Sequence, residues 1–100
     1  MRFFDRVDIM AKDGVTVAHG DVPAIVGTAT SVEADALGAP YGSLTTLRAL
    51  LPPEWENRVG VTNRIRWRGT VYTIPSAPVP RMRRDRVHHL TVPLELSEGR

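Results

Sequence analysis

The chain has no cysteine among its 100 residues. Disulfide staples, thiolate nucleophiles and cysteine-based zinc sites are thereby excluded together. No apolar run approaches the roughly 20 residues that a membrane helix needs. The start, Met1-Arg2-Phe3-Phe4-Asp5-Arg6, lacks the apolar stretch of a signal peptide. A soluble protein that is not exported by that route is expected. Phosphate loops and dinucleotide fingerprints are missing as well, so no cofactor is expected. Ser43, His19 and Asp21 are the residue types of a hydrolytic triad, but no nucleophile elbow surrounds Ser43. The chain is therefore read as a non-enzyme. Of its three histidines, His88 and His89 are neighbours on an expected strand and should face opposite ways, and His19 sits in a turn. A metal site is not expected.

What is there is short, alternating and punctuated. Val61 to Pro75 reads as two extended runs around Arg68-Gly69, a β-hairpin. Alternation puts Ile65 and Trp67 on one face with Val61, and Thr62, Arg64, Arg66 and Arg68 on the other. Trp67 is thus assigned to the core. In the last run, Leu90, Val92, Leu94 and Leu96 alternate with His89, Thr91, Pro93 and Glu95. Pro93 cannot donate to a ladder, which places this strand at an edge or opposite a bulge.

Earlier, Phe3 to Met10 predicts a first strand, with Val7 and Ile9 opposed to Arg6 and Asp8, and Lys12-Asp13-Gly14 the turn after it. Val15 to Ala18 and Val22 to Thr28 read as strands separated by a bulge or bend at His19-Gly20-Asp21. Leu44 to Leu51 is another strand, ended by Pro52-Pro53, and Glu54 to Gly60 is a short connection. Ser76 to Arg86 reads as a long connection rich in proline and arginine. About six short strands in one domain spanning residues 1–100 predict an all-β fold, a small antiparallel barrel or sandwich.

Between the early strands, Thr30 to Ser43 is small, mildly acidic and glycine-rich. Gly38, Pro40 and Gly42 exclude a long helix, and a loop of this length is usually functional or disordered. Charge is uneven too. Residues 1–47 carry three basic and six acidic side chains, a net of −3, whereas residues 48–100 carry ten and five, a net of +5. Arginine outnumbers lysine twelve to one, which suits two-point pairing with carboxylates or phosphates.

The order Leu50-Leu51-Pro52-Pro53, Val61, Ile65-Arg66-Trp67-Arg68-Gly69-Thr70-Val71-Tyr72-Thr73-Ile74, and His88-His89-Leu90-Thr91-Val92-Pro93-Leu94-Glu95 resembles the head-to-tail stopper, or head-closure, proteins of long-tailed phages. The resemblance spans roughly the last half of the chain. It implies a small β-barrel that assembles as a ring, twelvefold by the family's pattern, in the virion neck. The ring would close the DNA-filled head below the portal and its adaptor and dock the tail terminator or tail tube. Assembly would take place in the host cytoplasm, and no membrane is involved. It further implies that the long early loop projects toward the channel. Here that position is Thr30 to Ser43, with Ser31, Glu33, Asp35, Leu37 and Tyr41 as candidate channel residues; the acidic pair would repel phosphate.

Two arginine groups are the candidate interface or DNA-facing residues. Arg64, Arg66 and Arg68 form a strand face that reads as an inter-subunit patch, a solvated surface or a phosphate track. Arg81, Arg83, Arg84 and Arg86 form the densest run, suited to an acidic partner or to passing DNA. Trp55 is either a plug for one barrel end or an exposed anchor. The alternative functions are a small barrel for single-stranded nucleic acid, or another connector or tail-terminator component.

Overall fold

A computed structural model describes residues 2–30 and 45–96, and these contain seven strands and no α-helix. They are β1 (Asp5–Met10), β2 (Val17–Thr30), β3 (Thr45–Leu51), β4 (Arg64–Trp67), β5 (Thr70–Thr73), β6 (Val79–Arg83) and β7 (Arg86–Leu96). Six of them, in the order β1-β2-β3-β7-β5-β4, close on themselves through antiparallel pairs. The result is a small barrel, as the alternation and turn spacing predict. β6 is an addition outside the ring of strands and pairs with β7 alone.

Two long strands make the corners. β2 pairs with β1 through Ala24 and with β3 from Ile25 to Thr30. β7 pairs with β3 along Leu90 to Leu94, and its other edge is shared between β6, up to Thr91, and β5, from Glu95. Pro93 lies between those two ladders, where that edge has no partner and a missing donor is tolerated. It therefore sits in a central strand rather than at an edge.

The expected bulge at His19-Gly20-Asp21 is present inside one continuous strand. Val7 faces Val22 but Ile9 faces His19, so β2 spends an extra residue there, and a second shift follows before Met10 and Val17. Asp21 adopts the left-handed backbone at φ 56°. Its N–H, freed from the ladder, donates to Asp8 Oδ1 at 3.0 Å. The hairpin between β4 and β5 turns on Arg68 and Gly69, both at positive φ (51° and 79°), as the two-residue turns that match strand twist require. At the other turn Asp13 accepts from the Val15 and Thr16 N–H groups, both at 2.8 Å. Arg64 lies so close over Gly14 that a Cβ there would stand 3.1 Å from its guanidinium.

The core is what one side of β1, β2, β3, β4 and β7 supplies: Val7, Ile9, Val22, Ala24, Ala49, Leu51, Ile65, Leu90, Val92 and Leu94, closed off by Val59 and Ile74. Trp67 and Tyr72 pack against it, so the inward assignment of Trp67 holds. Three expectations need correction. Val61 is 56 % exposed and precedes the strand, because Asn63 ties the turn down by accepting from Gly60 N–H and donating to the Met10 carbonyl. Leu96 is 62 % exposed, since β7 runs past the core. The Ser76 to Arg86 connection contains β6 and a two-residue turn at Arg84-Asp85; two prolines and the arginines hid a strand with all five residues exposed.

The stability of this core is testable at two positions. Ile65→Ala, at a fully buried site, is expected to cost about 2–5 kcal/mol in urea denaturation. The Thr91 hydroxyl is buried without a hydrogen-bond partner, so Thr91→Val, which keeps the branched shape, should raise the urea midpoint by the equivalent of about 1 kcal/mol. A lowered midpoint for Thr91→Val would mean that the hydroxyl is satisfied in solution.

Candidate functional site: a basic hairpin

The two arginine groups differ in how the fold uses them. In the first, each arginine meets a group of the same chain. Arg66 donates from Nε (3.1 Å) and Nη2 (2.7 Å) to Asp8 Oδ2, directly across the β1–β4 ladder. With Oδ1 already held by Asp21 N–H, both carboxylate oxygens are engaged, and Asp8 stitches three strands together on the outer surface. The Asp21 N–H and then the Arg66 guanidinium hold the Asp8 carboxyl below its usual value. That stabilisation is present above pH about 3.8 and is lost as pH falls through the lowered folded-state value. Arg64 covers Gly14 beside Asp13, and the Arg68 guanidinium lies 4.7 Å from the Trp67 ring centroid. The arginines of this face are thus engaged within the fold, Arg66 by an ion pair, Arg68 by an aromatic ring and Arg64 by its packing over Gly14.

The second group has a different character. Arg81 and Arg83 lie on β6, Arg84 in the turn at φ 58°, and Arg86 at the start of β7, all of them exposed. The register explains how they gather. Arg81 faces His89 and Arg83 faces Arg86, with a shift between Arg81 and Met82 that inserts one extra residue on β7, His88. Cross-strand partners share a face, and residues two apart on a strand share one too. Arg81, Arg83, Arg86 and His89 therefore occupy one face. His88, two residues beyond Arg86, joins them.

This corrects the expectation that His88 and His89 face opposite ways. The bulge cancels the alternation between them, and their Nδ1 atoms approach to 3.0 Å with the rings edge-on at 82°. No third histidine, cysteine, aspartate or glutamate joins the pair to make a metal-binding group among the described residues. Nothing in a His-His dipeptide announces a bulge, so sequence alternation had no means of finding the pair. Burial first, and then the neighbouring His88, Arg81 and Arg48, push the His89 imidazolium toward its neutral form.

Two shallow hollows mark this end of the molecule. One, of about 330 Å³, is lined by Arg83, Arg84, Arg86 and His88. The other, of about 440 Å³, is lined by Arg83, Arg84, Asp85 and Arg86. Asp85 is the one acidic side chain among these lining residues. Elsewhere, Trp55 ends the 3-10 turn Pro53–Trp55, packs partly buried against the core, and meets His19 edge-on at 5.0 Å. The candidate channel residues Ser31, Glu33, Asp35, Leu37 and Tyr41 lie outside the described residues. Thr30 and Thr45, the described residues on either side of them, are paired.

No family model, characterised protein or solved structure matches this chain.

The histidine pair carries a pH dependence with a defined sign. The folded state disfavours the His89 proton, so the unfolded chain binds more protons, and stability falls as pH drops below about 6.5. Proton-detected titration of the imidazoles should place His89 below its ordinary value, and His89→Gln should flatten the stability profile between pH about 5 and about 7. A His89 that titrates at or above its ordinary value would refute the assignment.

Proposed function

We propose that this chain is a head-closure ring subunit in the neck of a long-tailed phage, a structural part with no catalytic role. The observation that carries the reading is the closed antiparallel barrel of six strands, the architecture that the resemblance implies. The basic hairpin at β6 and β7 provides a contact surface outside that barrel, suited to an adaptor, a tail component or genomic DNA. The order of motifs in the second half of the chain supports the same reading.

The rival single-stranded nucleic-acid module needs exposed aromatic faces on which bases stack. Trp67 and Tyr72 pack on the core, and Arg68 covers the Trp67 ring, which counts against it. An adaptor is expected to be largely helical, and the all-β architecture counts against that as well. A tail-terminator component is compatible with the fold and is separated from head closure by the phenotype below.

Deletion of the gene from its phage, followed by electron microscopy of the particles, tests the reading. Heads that have lost their DNA, accompanied by free and complete tails, are the expected result. Normal infectious virions would overturn it, and full heads beside tails of abnormal length would move the assignment to the tail end.

A further inference from the structure

The β6–β7 hairpin concentrates more cationic chemistry than a solvated turn needs, and the bulge at His88 is the reason. Without the inserted residue, alternation along β7 would put Arg86 and His88 on the face of Leu90 and away from His89. With it, Arg86 and His88 move to the outer face and join Arg81, Arg83 and His89. Bulges recur where a side chain has to be re-aimed. This one re-aims two residues into a hollow that Arg83 and Arg84 already line.

The ligand that fits is an anion with several oxygens. Guanidinium groups present planar donor pairs that match phosphate in two-point geometry. His88 adds a single donor. Its Nδ1 is taken up by His89 Nδ1 at 3.0 Å, so Nε2 is the nitrogen left for the hollow that His88 lines.

We infer that the hairpin is a binding site for the phosphodiester backbone of duplex DNA, with Arg83, Arg84 and Arg86 as the charged phosphate contacts and His88, positioned by His89, as a further hydrogen-bond donor. The source of the duplex rests on the ring reading; the site itself rests on the register, the hollow and the histidine pair. The groups that surround His88 and His89 are Arg81 and Arg83 on β6, Arg84 and Asp85 in the turn, Arg86 on β7, and Arg48 on β3. A few phosphate contacts give one subunit only weak binding, and a ring of copies would multiply it through effective concentration.

The test uses the full chain and a fluorescent duplex of about 20 base pairs, read by anisotropy between about 50 and about 200 mM salt. Binding in the range of about 10⁻⁴ to 10⁻⁶ M with a steep salt slope is expected, without preference for single strands. Arg84→Gln and Arg86→Gln should each weaken binding several-fold and lower the slope by about 1. Arg68→Gln, on the other arginine group, should leave it unchanged. His88→Gln, which removes the further donor, should weaken binding by less than either arginine variant. Melting curves check that every variant is folded.

A folded Arg83→Gln/Arg84→Gln/Arg86→Gln variant that binds as the parent does would overturn the site. So would displacement of the duplex by polyglutamate at equal charge, which would assign the hairpin to an acidic protein surface. Either result would leave the ring reading standing, since that is decided by particle morphology.

Discussion

Closure of the barrel depends on β7. Among the described residues it is the one strand with three partners: β3 along one edge, β6 and then β5 along the other. Leu90, Val92 and Leu94 place three apolar side chains in the core from this strand alone. The pairing with β3 runs over five residues, but the pairing with β5 involves only Tyr72 and Thr73, opposite Leu96 and Glu95. The Thr73 hydroxyl adds a bond to the Glu95 carbonyl at 3.2 Å. The seam between β5 and β7 is thus the thinnest in the wall, and it draws much of its support from the core residues behind it, Tyr72 and Ile74.

Irregularities supply what the regular ladder cannot. The bulge in β2 frees the Asp21 N–H, and Asp8 answers it while also holding Arg66. A carboxylate with its oxygens divided between a bulge and a neighbouring strand pins the register of β1, β2 and β4 at once. The bulge in β7 acts in the opposite sense. It fixes nothing inside and instead rotates the tip of the hairpin so that its cations share a face. One bulge therefore serves the barrel, and the other serves the surface.

Most of the barrel was legible in the sequence because period-two alternation is a strong signal when one face is buried. Ile65 and Trp67 against Arg64 and Arg66, and Leu90, Val92 and Leu94 against His89 and Thr91, fell where alternation puts them. The turn at Arg68-Gly69 and the bulge near Gly20 were marked by glycine and by the short polar residue Asp21. β6 was missed because Val79-Pro80-Arg81-Met82-Arg83 has neither a buried face nor clean alternation, and its only partner is an edge of β7. The grouping of His88 with His89 was missed for a related reason. A bulge is set by how two strands meet, and single-strand periodicity does not contain that information.

Because the barrel closes, β6 is the strand left with one whole edge unpaired among the described residues. A bare edge is a template on which a second sheet can grow, and proteins blunt such edges with proline, charge and short length. β6 has all three: five residues, Pro80, and Arg81 and Arg83. Copies crowded side by side would then resist fusing into a continuous sheet. They would remain discrete bodies that meet through side chains, and polymerisation without limit would be blocked at the one place where the backbone invites it.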